Sequence, residues 1–180
     1  MAELIELHLI ESCIKGDRAS QKALYDRLAP RMFPVCIRYL GDRVLAEDIL
    51  QDGFITLFSK LKDFKGDGSF EGWARRIFVT TALMSLRKKD ALKMSEELDT
   101  ARGMKTEMAS QTQNLGYKEL MELVMSLPPG FRTVFNMYSI EGYSHKEIAE
   151  MLGISETTSR TQLSRARIWL QNKIKERENV

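Results

Sequence analysis

The sequence predicts an all-α protein of two small helical domains joined by a flexible linker, and three observations carry that prediction. Apolar residues recur at helical spacing over about 3–15, 18–40, 43–62, 70–89, 117–126, 129–141, 145–152 and 156–176, and no alternating stretch is long enough for a strand. Between the fourth and fifth segments, SEELDTARGMKTEMASQTQN is polar with few large apolar residues, which suits a tether rather than a core. The C-terminal third carries the start and stop signals of two helices joined by a tight turn. The expected division is 1–92, a linker over 93–116, and 117–180.

Composition bounds the function. In 180 residues, 29% are charged and 43% hydrophobic, an ordinary balance for a globular chain. The net charge of +2 falls short of a nonspecific nucleic-acid coat, so basic patches should be local and lie beside acidic ones. No apolar run approaches the roughly 18–20 residues of a membrane span. The start, MAELIELHLIESCIKGD, is acidic and lacks the pattern of a signal peptide, so a cytoplasmic protein is expected. Cys13 and Cys36 are too few and too far apart for a zinc knuckle or a redox pair and read as reduced core thiols.

Taken in order, the second segment contains Pro30 and Pro34, which should interrupt or kink it. The third reads DRVLAEDILQDGFITLFSKLKDF. Leu45, Ile49, Phe54, Leu57, Phe58 and Leu61 can be buried together, leaving Glu47, Asp48, Gln51 and Asp52 as an acidic patch. Gly53 in its middle costs roughly 1 kcal/mol relative to alanine, which points to close packing. In the loop KDFKGDGS, Gly66 and Gly68 punctuate and Ser69 is positioned to cap the next helix. On that helix Phe70, Trp73, Ala74, Ile77, Phe78, Thr81 and Met84 follow a core face. Arg75, Arg76, Val79, Thr80, Leu83 and Arg87 lie toward the other side, and Lys88 and Lys89 extend a basic end. Arginines can neutralise phosphate while an aromatic ring stacks on an unpaired base. Trp73 alone fits a core position equally well.

The helix-turn-helix is the most specific signal. Ser144 followed by Glu147 is a capping box, Gly153 stops the first helix, and Ser155 can cap the second with Ile154 as its apolar anchor. Ser159, Leu163, Ala166, Leu170 and Ile174 form one stripe on the second helix. Thr158, Thr161 and Arg165 point the other way, with Thr157 and Ser164 beside them and Arg160 and Gln162 toward the flanks. Such side chains suit a major groove, where arginine reads guanine, glutamine reads adenine and threonine supplies a hydrogen bond or methyl. His145 is expected in the first turn of its helix, facing solvent or phosphate, and neither it nor His8 reads as a metal ligand. The sequence contains no P-loop, HExxH, GxSxG or paired Cys/His ligands, so no catalytic residue, metal, cofactor or small-molecule substrate is expected.

With AEDILQDGF, FKGDGSFEGWARRIF…LRKK and LPPGFRTVFNMYSIEGYSHKEIAEMLGISETTSRTQLSRAR in view, the chain resembles a bacterial RNA polymerase sigma factor of the extracytoplasmic-function group. The resemblance covers about Leu24 to Lys173, apart from the linker. It implies a region 2-like helical domain and a region 4-like helix-turn-helix domain. It also implies the partners: core polymerase, through its β′ clamp helices and β flap, promoter DNA, and an anti-sigma factor. Asp48, Gln51 and Asp52 match the clamp-docking region. The loop from Asp63 to Ser69, with Phe64 and Ser69, matches the loop that receives a flipped −10 base. Trp73, Arg76, Thr80 and Arg87 fall on the helix that reads and melts that element. Thr157, Thr158, Arg160, Thr161, Gln162, Ser164 and Arg165 match the −35-reading helix. The chain departs from the family pattern at Thr80, usually Asn, and near Met84, often Asp; threonine lacks the paired donor and acceptor of the amide. The alternative from the residues alone is a stand-alone dimeric helix-turn-helix regulator.

Overall fold

Asp17 opens the second helix by accepting a hydrogen bond from the Ser20 backbone N–H at 2.8 Å, and side-chain caps of this kind also start four later helices. The structure, a computed structural model, describes residues 2–95 and 115–178, with side chains for 7–88 and 119–176. The helices are α1 (Ala2–Ile14), α2 (Arg18–Leu40), α3 (Arg43–Lys60), α4 (Phe70–Ser95), α5 (Leu115–Met125), α6 (Pro129–Phe135), α7 (His145–Leu152) and α8 (Glu156–Glu178). A 3₁₀ turn, Leu61–Asp63, follows α3, and one π-helical turn, Asn136–Ile140, continues α6. No strand occurs among the described residues. They fall into two units, one before and one after the segment 96–114. Most of the predicted linker therefore lies outside the described residues; α4 runs to Ser95 and α5 opens at Leu115, inside its expected ends.

In the first unit α2, α3 and α4 pack against one another and α1 lies on α2. Leu24, Leu28, Met32, Val35, Cys36 and Tyr39 meet Ala46, Ile49, Leu50, Phe54 and Leu57, and Phe70, Ala74, Phe78, Val79, Ala82 and Leu83 complete the core. Gly53 has its explanation here. A Cβ at that position would overlap the Phe78 ring, so glycine permits the closest approach of α3 to α4. Cys13 and Cys36 are free and buried, and burial pushes the Cys36 thiol up to about 12.

Three expectations need correction. Pro30 and Pro34 do not interrupt α2. Both prolines and Asp26 are exposed, so the carbonyls left without an N–H partner, those of Asp26 and Pro30, face water. The core face of α4 is also shifted: Val79 and Leu83 are buried, whereas Met84 is 65% exposed. With α2 and α3 both packed on it, α4 buries a stripe broader than a single-partner wheel suggests, and displaced toward Val79 and Leu83. Finally, Ile174 is exposed, and the buried stripe of α8 ends at Leu170.

The second unit packs Leu123 and Leu127 against Ala166 and Leu170, with Phe131, Phe135 and Trp169 at the edge. Arg132 is buried, and its Nη1 donates to the Met125 carbonyl at 2.9 Å, closing the end of α5. Burial lowers its pKa from the usual value.

Candidate nucleic-acid interface

The turn between α7 and α8 is built from short-range hydrogen bonds. Ser144 Oγ accepts from the Glu147 N–H at 3.2 Å, and the Glu147 carboxylate accepts from the Ser144 N–H at 2.8 Å. Gly153 closes α7 at φ +68°, in the left-handed region that other residues rarely enter. Ser155 Oγ then accepts from the Thr158 N–H at 3.0 Å and starts α8. Ile148 is fully buried between the helices, with Ser159, Leu163 and Ala166 on the inner face of α8.

That docking leaves Thr157, Thr158, Arg160, Thr161, Ser164 and Arg165 exposed. Their polar atoms are not equally available. The Thr161 hydroxyl donates to the Thr157 carbonyl at 2.9 Å, and Thr158 Oγ1 lies 2.8 Å from Ser155 Oγ. Arg160 pairs with Glu156 at 2.8 Å, one helical turn away. Gln162 is half-buried, its amide lying toward Gly130 of α6 and so turned from the exposed face. His145 does not face solvent as expected. It is half-buried, its Nδ1 lies 2.9 Å from the Ser159 hydroxyl, and its ring stacks on Tyr138.

In the first unit a groove of about 780 Å³ runs between α3 and α4. Its lining includes Asp52, Ile55 and Lys60 on one side and Trp73, Arg76, Thr80, Met84 and Lys88 on the other. The fold therefore joins one predicted docking residue, Asp52, to three predicted −10 residues. Asp48 and Gln51 are exposed on the same helix as Asp52 without lining the groove. Trp73 is half-buried, and its ring centroid lies 5.4 Å from that of Phe64 and 5.7 Å from that of Phe70. Ser69 Oγ accepts from the Gly72 N–H at 3.3 Å, so it acts as the helix cap the sequence suggested. Thr80 donates its hydroxyl proton to the Arg76 carbonyl at 2.8 Å, and Arg87 is exposed.

Sequence reasoning missed His145, Ser159 and Tyr138 as one cluster. The available signal was a serine within an apolar stripe, which requires a polar partner once buried. Nothing in the spacing identified that partner, fourteen positions upstream.

These features define a two-part helical protein with a helix-turn-helix in one unit and a polar, aromatic-edged groove in the other. Family models described as Sigma-70 region 2 and Sigma-70 region 4 match residues 24–92 and 117–170. The chain is 31% identical to the ECF RNA polymerase sigma factor SigE of Mycolicibacterium smegmatis over 87% of its length, spanning 63% of that relative. It is 24% identical to the ECF RNA polymerase sigma-E factor of Haemophilus influenzae, across 97% of this chain and 98% of that protein. The Escherichia coli sigma-E factor is 28% identical, with coverage of 96% and 95%. Among solved structures, the sigma factor RpoE of Bartonella quintana, in complex with the anti-sigma factor NepR, aligns with a TM-score of 0.59. That alignment has 20% identity and covers 86% of this chain and 96% of the other, a likeness of fold. The chain belongs to the sigma-70 family of RNA polymerase sigma factors, within its extracytoplasmic-function group. It is a promoter-specificity subunit, and proteins of this family are transcription initiation factors.

Proposed function

We propose that the two units divide promoter recognition, with residues 1–92 docking on core polymerase and opening the −10 element and residues 117–180 reading the −35 duplex. The observation that carries this reading is the exposed face of α8, where Thr157, Thr158, Arg160, Thr161, Ser164 and Arg165 extend from a helix capped at its start by Ser155. Arginine to guanine and threonine to a base edge are the contacts such a face can make in a major groove. Phosphate contacts would set register, and base contacts would supply sequence preference.

On α3, Asp48, Gln51 and Asp52 offer an exposed acidic surface to the β′ clamp helices. The groove beside them supplies the second half of the mechanism. Extruding a −10 base costs a few kcal/mol of unstacking. Stacking on the half-buried rings of Phe64 and Trp73 would offset that cost, with Arg76 and Arg87 neutralising phosphate. Thr80 would offer the flipped base an acceptor only, because its proton is committed to the Arg76 carbonyl. No residue here needs to perform chemistry: the polymerase carries out nucleotidyl transfer, and this chain is not an enzyme. We place it in the cytoplasm; no described helix is long and apolar enough to cross a membrane.

The β flap would receive the second unit. An anti-sigma factor is the remaining partner, by analogy with the RpoE–NepR complex. Run-off transcription on fragmented genomic DNA, with core polymerase plus or minus this chain, tests the reading. Discrete new start sites sharing two upstream elements are expected. A dimer that binds a two-fold symmetric duplex without polymerase, and yields no new transcripts, would replace this reading with a stand-alone regulator.

A further inference from the structure

Ser159 is fully buried on the inner face of α8, in line with Leu163 and Ala166. A hydroxyl removed from water needs a partner, and His145 provides one: its Nδ1 lies 2.9 Å from Ser159 Oγ. The imidazole is itself held. It stacks on Tyr138 of the π-helical turn, with ring centroids 4.5 Å apart and planes inclined by 23°. The Arg167 guanidinium lies over the same Tyr138 ring, 5.8 Å from its centroid. The first residue of α7 and the turn before it thus grip α8 at Ser159 and Arg167. Those points are roughly 12 Å apart along the axis at about 1.5 Å per residue.

We infer that His145 is a positioning residue for base reading: with Tyr138 it fixes, through Ser159 and Arg167, the rotation of α8 about its own axis. This rests on the reading of α8 as the promoter-reading helix. The apolar contacts of Ile148, Leu163 and Ala166 hold α8 against its neighbours but are non-directional. A hydrogen bond to a ring held by stacking is directional. The distinction matters because α8 presents its outward residues on either side of the clasp, Thr158 and Arg160 flanking Ser159 directly. A rotation of about 10° moves an atom ~6 Å from the axis by roughly 1 Å, enough to spoil a bidentate contact. Besides Tyr138, the groups facing His145 are Arg160, Glu156 and Arg167 of α8. Burial first, then Arg160, lowers its pKa, favouring a neutral ring. A neutral imidazole can serve as either donor or acceptor to a serine hydroxyl.

Three substitutions separate the contributions. His145→Phe keeps a ring for Tyr138 and removes the hydrogen bond. His145→Asn puts an amide atom at the same bond distance from Cβ as Nδ1 and removes the ring. Ser159→Ala removes the hydroxyl. Each full-length variant is assembled with core polymerase and titrated on a promoter mapped for the wild type. Parallel titrations use promoter versions carrying single −35 substitutions, and melting temperature is followed in the same samples. The expected result is a loss of −35 discrimination on the order of tenfold for His145→Phe and Ser159→Ala. His145→Asn should keep most of that discrimination, and in none should the loss track the change in melting temperature. Wild-type discrimination in His145→Phe and Ser159→Ala would overturn the inference, as would equal loss in His145→Asn or a loss proportional to the change in melting temperature. A wild-type holoenzyme that initiates nowhere would instead overturn the functional reading, and this inference with it.

Discussion

Replacing Gly53 with alanine sets two measurable effects against each other in the helix that carries the docking residues. Helix propensity favours the change by about 1 kcal/mol, because glycine loses the most backbone freedom on folding. Packing opposes it. The new Cβ would sit 3.2 Å from Phe78 Cγ and closer still to the ring edge, against a comfortable carbon–carbon separation of about 3.5–4 Å. Phe78 has nowhere to go: it is fully buried, and its ring meets Phe54 edge-on with centroids 5.1 Å apart. Overpacking of this kind costs about 1–3 kcal/mol. Because the overlap falls on a ring flank and not a flexible tip, the upper half of that range applies. The expected net change is a loss of about 1–2 kcal/mol.

Urea unfolding followed by Trp73 fluorescence measures it, in a Trp169→Phe background that silences the only other tryptophan. Gly72→Ala is the control, since a Cβ there meets only Ser69 Cβ at 3.8 Å, and that variant should be no less stable than wild type. Phe78→Leu supplies the second arm of a double-mutant cycle. With the ring gone, Gly53→Ala should become neutral or stabilising, a coupling of at least about 1 kcal/mol. A Gly53→Ala protein as stable as wild type, or one equally damaged in the Phe78→Leu background, would refute the close-approach argument.

Three further outcomes follow from the site. Arg165→Ala should weaken −35 binding by about 1–3 kcal/mol, measured by holoenzyme titration, with affinity for core polymerase unchanged. Asp52→Lys should do the reverse, lowering core affinity by roughly tenfold or more while the mapped promoter sequence stays the same, because it replaces an attractive charge with one that repels a basic docking partner. The His145 pKa is lowered by burial and by Arg160, so the unfolded chain binds its proton more readily than the folded one. Its share of stability is complete above about pH 6.5 and is lost as pH falls through the depressed folded value. Thermal melts across that window should show the second unit weakening on acidification, and His145→Phe should flatten this dependence.

The sequence made the helices and their caps legible because those depend on neighbours within a turn. Ser144, Glu147, Gly153 and Ser155 act where local chemistry placed them. Asp17, Gly41 and Asp42 bound α2 and α3 by the same local chemistry, although the sequence reading did not single them out as caps. What failed depends on partners far along the chain. The helical wheel of α4 could not say that two helices would pack on it, so Val79 and Met84 exchanged places. Pro30 and Pro34 looked like breaks, although exposed carbonyls facing water let α2 continue through both. Of the candidate site, the exposed face of α8 was readable as a list of residues. Which atoms on it remain available was not, because Gln162 turns toward Gly130 and the hydroxyls bond within their own turn.

That last point restricts what the threonines can read. A carbonyl only accepts, so the 2.9 Å contact from Thr161 Oγ1 to the Thr157 carbonyl commits the hydroxyl proton of Thr161 to the helix. Outward, Thr161 therefore presents acceptor lone pairs and a methyl group. An acceptor suits the amino group of adenine or cytosine in the major groove, and the methyl suits thymine; neither suits the paired acceptors of guanine, which fall to Arg160 and Arg165. Replacing Thr161 with valine keeps the methyl and removes the acceptor, whereas serine does the opposite. If Thr161 faces an amino group, valine should lose discrimination at one −35 position and serine should keep it. If it faces a thymine methyl, the order should invert. A Thr161→Val holoenzyme that loses a preference for guanine at that position would show the hydroxyl donating outward, and the hydrogen bond to Thr157 would not be the one used on DNA.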